Sequence, residues 1–120
     1  DSRRAARYTK IINVECKVLK FPDDISGDKA KLKENATFRA TTINVSETGM
    51  LINCDFLFPE RTFLAISFPQ GEVLEKKSTV KVTIAWTKRN AYKIFGRYSA
   101  GLHITEAKTE DLEKLIQHFS

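Results

Sequence analysis

The stretch ATFRATTINVSETGMLINC, residues 36–54, indicates how this chain folds. Its first half, residues 36–45, is rich in Thr, Phe, Ile and Val, which favour β-strands. Met50, Ile52 and Cys54 then alternate with other residues at the period of two that is typical of a strand. Between them, the segment NVSETG at residues 44–49 contains residue types that form turns. The stretch therefore predicts two strands joined by a short turn.

The same alternation extends over most of the chain. Apolar residues occupy every second position in residues 12–18, 64–68, 80–86 and 100–104. Together with the two strands predicted above, these four segments make about six strands. The C-terminus changes period, because Leu112, Leu115, Ile116 and Phe119 fall on one face of a helix. Thr109 is the predicted N-cap of that helix. The pattern predicts a mainly β protein, a sandwich or a barrel, with a C-terminal α-helix packed on it.

Length and composition indicate an ordinary globular domain. The chain has 120 residues, with 42% hydrophobic and 29% charged residues, and we expect a single domain over residues 1–120. No apolar run approaches the roughly 20 residues that cross a bilayer, so we expect no membrane insertion. The chain begins without Met, and we expect it to be a fragment of a longer protein with an upstream domain.

The two cysteines, Cys16 and Cys54, lie in apolar, strand-like segments. They form neither a disulfide framework nor a C-x-x-C pair. Two buried free thiols in a reducing cytoplasm are the expected state. A bridge between the two cysteines stays open as the alternative.

Positive charge is concentrated in an arm at residues 1–10. The chain has a net charge of +5, and four cations minus Asp1 give +3 in the arm: Arg3, Arg4, Arg7 and Lys10. Such an arm indicates an anionic partner, for example a phosphate, a nucleic acid or a lipid headgroup. Arginine presents a planar fork of donors that matches phosphate, and its guanidinium plane also stacks on nucleobases.

Together the arm and the turn resemble the PilZ domain family, the bacterial receptor module for cyclic di-GMP. The motifs of that family are R-x-x-x-R and D/N-x-S-x-x-G, and here Arg3 and Arg7 precede Asn44, Ser46 and Gly49 in the same order and spacing. The segment YSAGLHI at residues 98–104 resembles the last strand of the family, and the acidic start of residues 109–119 resembles its closing helix. The resemblance covers essentially the whole chain. It implies a six-stranded antiparallel PilZ-type β-barrel at residues 11–105, preceded by a flexible arm at residues 1–10 and closed by a helix at residues 109–119.

The resemblance also implies the ligand and the mechanism. Arg3 and Arg7 would contact the phosphates and guanine faces of cyclic di-GMP, with Arg4 as an auxiliary cation. The arm would fold over the ligand and reorient an attached domain or a partner protein. The chain would thus be a cytoplasmic bacterial receptor that needs no cofactor or metal besides its ligand.

The turn supplies the other implied contacts. Asn44 and Ser46 would hydrogen-bond a guanine or a phosphate, and Gly49 would allow positive φ or close approach. Some members of the family place a Trp near the ligand from a later strand, and Trp86 is the candidate here. However, Trp86 also continues the apolar set that begins at Val80, so packing in the core is the alternative.

Two other classes of protein are alternatives to this interpretation. A small basic β-barrel also suits nucleic acid, with aromatic residues such as Phe38, Tyr92, Phe95 and Tyr98 interleaved with cations. A protein-interaction module without a ligand is disfavoured by the two arginines.

Catalysis has little support, because His103 and His118 lie near no suggestive Cys or Ser. Both histidines are predicted to be exposed and structural. The acidic segment at residues 23–28 lacks the closing carboxylate of a calcium loop, so no metal site is expected.

Overall fold

A computed structural model of the protein describes residues 10–22, 32–71, 73–90 and 96–120. Six strands and one helix form in these ranges: β1 Ile12–Lys20, β2 Thr37–Val45, β3 Gly49–Cys54, β4 Phe63–Phe68, β5 Ser78–Arg89, β6 Tyr98–Glu106 and α1 Thr109–Phe119. All of the strand pairings are antiparallel, and the strands close into a barrel in the order β1-β2-β3-β6-β5-β4. The predicted six-stranded barrel with a C-terminal helix is confirmed.

The barrel closes because β1 pairs on both of its edges. Its residues align with β2 on one side, where Ile12 faces Thr42, and with β4 on the other, where Cys16 faces Ile66. The alternation in the sequence becomes alternation across the barrel wall, since Val14, Cys16 and Val18 are buried while the residues between them are exposed. Closure leaves none of these six strands with an open edge.

Helix α1 packs on the barrel through its apolar stripe. Within α1, Leu115 is completely buried and belongs to the same apolar cluster as the inward residues of the strands. Ser78 at the start of β5 donates a 2.6 Å hydrogen bond to Asp111 in the first helical turn. Thr109 is the first residue of α1 rather than its N-cap. That position belongs to Lys108, whose side chain makes no capping bond.

Both thiols face the core and both are free. Cys16 and Cys54 are 1% and 5% exposed, so the alternative of a bridge between them is wrong for this structure. Burial raises the pKa of both thiols above the ordinary value, and the neighbouring Cys54 raises the pKa of Cys16 further. Neutral, inaccessible thiols are poor nucleophiles. The cysteines therefore act as small apolar core residues.

Candidate functional site

The turn between β2 and β3 is held by the serine of the motif. The Ser46 N–H donates to the Gly49 carbonyl at 2.8 Å. The Ser46 hydroxyl accepts from the Gly49 N–H and donates to the Gly49 carbonyl, each at 3.2 Å. A hydroxyl has two acceptor lone pairs, so one remains available on this exposed side chain. Asn44, at the end of β2, is also exposed. The turn thus presents two polar side chains outward.

Gly49 is required by the approach of β6 and not by its own dihedral angles. A Cβ built on Gly49 would lie 2.5 Å from the carbonyl oxygen of Leu102. Among the described glycines only Gly96 has a positive φ. Thr48 reinforces the same contact, because its carbonyl accepts a 2.8 Å hydrogen bond from the N–H of Ile104. Of the two roles foreseen for Gly49, the structure shows close approach, and the approaching group is a strand.

A row of four residues crosses the outside of the barrel beside this turn. Asn44 on β2 faces Leu51 on β3, Leu51 faces Gly101 on β6, and Gly101 faces Trp86 on β5. Neighbouring strands lie about 4.8 Å apart, so the row spans roughly 15 Å from the motif to the indole. The sheet register therefore brings together residues that are more than 40 positions apart in the chain.

A β-bulge turns Trp86 out of the core. The register of β5 against β6 shifts by one residue between Ile84 and Trp86, which leaves Ala85 as the extra residue. Because side chains alternate across a strand, one extra residue moves the next one to the other face. Ile84 itself is fixed by hydrogen bonds from the Arg61 N–H at 2.7 Å and to the Thr62 carbonyl at 3.0 Å. Trp86 is 42% exposed, so the alternative of core packing is wrong.

The indole of Trp86 lies on the backbone of Gly101. A Cβ built on Gly101 would collide with the Cε2, Nε1 and Cζ2 atoms of the ring. The missing side chain at this position therefore gives the indole a flat surface to rest on. A second bulge, between Thr42 and Asn44, lies at the other end of the row. Bulges are frequent beside binding sites, where they re-aim side chains.

Replacing Gly101 with alanine is expected to displace the indole. The new methyl group occupies the position of the ring, so Trp86 must leave its rotamer at a cost of about 0.5–1.5 kcal/mol. Trp86 is the only Trp in the chain, and its emission maximum should shift to longer wavelength as the ring moves into water. Gly71→Ala is the matched control, because a Cβ there meets no atom within 4 Å. An unchanged emission spectrum in Gly101→Ala would contradict this placement of the ring.

Between the turn and the indole lies a shallow depression of about 280 Å³. Its lining includes Asn44, Ser46 and Gly49 at one end, Trp86 at the other and Gly101 in the floor. An exposed aromatic face suits stacking on a planar ring, and the amide and hydroxyl groups suit hydrogen bonds to the edge of a ring or to a phosphate. The arrangement fits a nucleotide lying along the row.

A larger groove of about 920 Å³ runs along the β1–β2 wall. The charged residues that line this groove include two acidic side chains, Glu15 and Asp55, and two basic ones, Arg39 and Lys77. None of the predicted site residues in the described part of the chain lines this groove. Size alone does not define a site, so the smaller depression, where the motif and the indole meet, is the candidate.

The three arginines of the arm, Arg3, Arg4 and Arg7, lie outside the described residues. The described chain begins at Lys10, whose Nζ donates a 2.8 Å hydrogen bond to the carbonyl of Ser120. Ile12 at the start of β1 faces Thr42 on β2. Because the two strands are antiparallel, Lys10 and Asn44 both lie two residues beyond this pair toward the same end of the barrel. The chain therefore enters the fold near the motif.

The histidines have different environments. His103 is exposed on the outer face of β6, as predicted. His118 is partly buried, and its Nε2 is buried without a hydrogen-bond partner in the described part of the chain, so the prediction of an exposed side chain is wrong. His118 is partly buried because the last turn of α1 directs it toward the cleft at the start of β1. Its ring also packs edge-on against the ring of Phe119, with the ring centroids 4.9 Å apart.

Two further properties bear on function. Among the described residues, no group of His, Cys, Asp or Glu side chains is arranged to hold a metal ion. In the same residues, no helix has the length and apolar character to cross a membrane.

Comparison with known protein families gives one result. The family model of the PilZ domain matches residues 2–120. That match includes the arginine motif, the turn and the C-terminal helix. Comparison with curated proteins and with solved structures gives no significant match.

Proposed function

The chain belongs to the PilZ domain family, and we propose that it binds cyclic di-GMP in the depression between the turn and Trp86. One observation carries the proposal. The register of four strands places Asn44 and Trp86 in a single row on the outer face. Polar groups for a base edge or a phosphate and an aromatic surface for a base thus lie within the length of one dinucleotide.

Each group at the depression has a distinct role in this proposal. Trp86 stacks on a guanine, and base–aromatic stacking contributes about 1–3 kcal/mol per base. The Asn44 amide has both donors and an acceptor for the edge of a guanine. The Ser46 hydroxyl, already oriented by Gly49, accepts one further hydrogen bond through its remaining lone pair. Because the turn fixes Ser46 before the ligand arrives, little side-chain entropy is lost on binding.

The arm adds positive charge to a depression whose described lining contains no Lys or Arg. Arg3 and Arg7 contact the phosphates and the guanine faces, and Arg4 adds a cation. Arg7 lies three residues before Lys10, and Arg3 lies seven residues before it. A fully extended chain would therefore place Arg7 at most about 10 Å, and Arg3 at most about 25 Å, from Lys10. The entry of the chain near Asn44 supports this role. Ordering of the arm over the ligand would then signal to an attached domain or a partner protein.

Nucleic-acid binding is the second candidate, and the structure removes part of its basis. Phe38 was expected on an exposed aromatic face, but it is 5% exposed and packs in the core on Phe58, with ring centroids 5.0 Å apart. The barrel interior requires this, since Phe38 faces Cys16 on the inner side of β1. Tyr92 and Phe95 lie outside the described residues. In the described part of the chain, Phe63 and Trp86 are each 42% exposed, and Trp86 is the one that lines the depression.

Calorimetric titration of the chain with cyclic di-GMP tests the proposal. We expect saturable binding with a defined stoichiometry, a much weaker response to GMP, and quenching of the Trp86 emission. Titration with a single-stranded oligonucleotide at two salt concentrations tests the second candidate, nucleic-acid binding. Affinity for the phosphate backbone of a nucleic acid falls steeply as the salt concentration rises. Binding of the oligonucleotide without binding of cyclic di-GMP would overturn the proposal.

A further inference from the structure

Lys88 lies next to the indole of Trp86. It follows Trp86 by two positions on β5 and pairs with Ser99 on β6, so both side chains are on the outer face. Its Nζ is 5.6 Å from the centroid of the indole ring, which is within the range of a cation–π contact. Lys88 is exposed. A positive charge that neither family motif contains thus stands at the border of the depression.

The contact with the ring does not satisfy the ammonium group. Lys81, on the same strand, forms an ion pair with Glu106 at 3.4 Å, whereas no carboxylate in the described part of the chain lies within that distance of Lys88. A cation–π contact at an exposed site is weak. Hydrogen bonds between an ammonium and a phosphate are stronger. A phosphate that enters the depression therefore competes successfully for this group.

We infer that Lys88 is a ligand-binding residue of this site: Trp86 holds the Lys88 ammonium beside the depression, and the ammonium then binds a phosphate of the bound cyclic dinucleotide. This inference rests on the proposed function. In the free protein the cation covers part of the ring. In the complex the guanine stacks on the indole, while the ammonium moves to the phosphate next to that guanine. Lys88 thus adds a cation to the site at the end opposite the turn.

Calorimetric titration of the full chain with cyclic di-GMP tests this inference, using the parent, Lys88→Gln, Lys88→Arg and Lys17→Gln. We expect Lys88→Gln to raise Kd about tenfold, because one charge-assisted contact is lost. Lys88→Arg should restore most of the affinity. Lys17 is an exposed residue of β1, so Lys17→Gln removes the same charge far from the depression and should leave Kd unchanged. The emission of Trp86 in the free protein should change only in the Lys88 variants.

The other outcomes overturn the inference in distinguishable ways. If the parent binds and Lys88→Gln binds as tightly or more tightly, Lys88 is no ligand contact, and the proposed function stands. If Lys17→Gln loses as much affinity as Lys88→Gln, the effect is one of net charge. If the parent does not bind cyclic di-GMP, the proposed function fails and this inference fails with it.

Discussion

Replacing Arg3 and Arg7 together with alanine is expected to weaken cyclic di-GMP binding by at least about 100-fold. Each arginine supplies charge-assisted hydrogen bonds to phosphate, and each such bond contributes on the order of 1.5–3 kcal/mol. In the part of the chain that the structure describes, the lining of the depression contains the turn and the indole but no Lys or Arg. Without the arm, only stacking, the bonds to Asn44 and Ser46 and the inferred contact with Lys88 remain. Calorimetric titration of parent and variant measures the difference.

The control for this variant removes two positive charges elsewhere. Lys17 on β1 and Arg39 on β2 are exposed, and both lie toward the end of these strands that is remote from Asn44. The Lys17→Ala/Arg39→Ala double variant therefore has the same net charge as the arm variant. It should bind like the parent, and both variants should keep the parent melting temperature. Tight binding by the arm variant would contradict the role assigned to the arginines and leave the fold unaffected.

Replacing Leu115 with alanine is expected to lower the free energy of unfolding by about 2–5 kcal/mol. Leu115 is completely buried and is the one residue of α1 in that state. The cleft beneath it is lined by apolar residues at the end of β4 and in the following loop, among them Phe68 and Leu74. Those side chains belong to the barrel core and cannot collapse far into the space left by the leucine, so a cavity remains.

Denaturant unfolding followed by circular dichroism measures this effect. Glu113→Ala is the control, because Glu113 is exposed on the same helix and a surface change of this kind shifts stability by about 0.5 kcal/mol or less. If Leu115→Ala is as stable as the parent, the helix does not contribute to the core as described here.

The sequence alone predicted the fold because apolar and polar residues that alternate with period two in the sequence lie on opposite faces of a strand in the structure. Each strand that was read from its pattern forms, and the helix forms over the predicted residues 109–119. The turn at residues 44–49 was predicted for the same local reason, since its residue types favour turns wherever they occur. The two motifs identified Asn44, Ser46, Gly49 and the arginines as candidates, and the resemblance to the family added Trp86 with core packing as its alternative.

What the tertiary structure decided was the direction of individual side chains. Alternation placed Trp86 in the core, and only the bulge at Ala85 turned it outward. The backbone groups that fix Ile84 before this bulge belong to Arg61 and Thr62, in the segment between β3 and β4, so no pattern local to β5 contains them. Phe38 was misplaced for the related reason that a strand pattern separates two faces without saying which one the barrel encloses.

The composition of the site was likewise decided in three dimensions. Asn44, Leu51, Gly101 and Trp86 meet because the closed barrel sets the register of four strands, and register depends on pairings between distant segments. Lys88 carries no motif and was indistinguishable in sequence from a solvated lysine. The sequence by itself determined which residue types the chain offers and which elements they form. The packing of those elements alone determined which side chains share the outer depression, because contact between distant residues is a property of the closed barrel and not of any local segment.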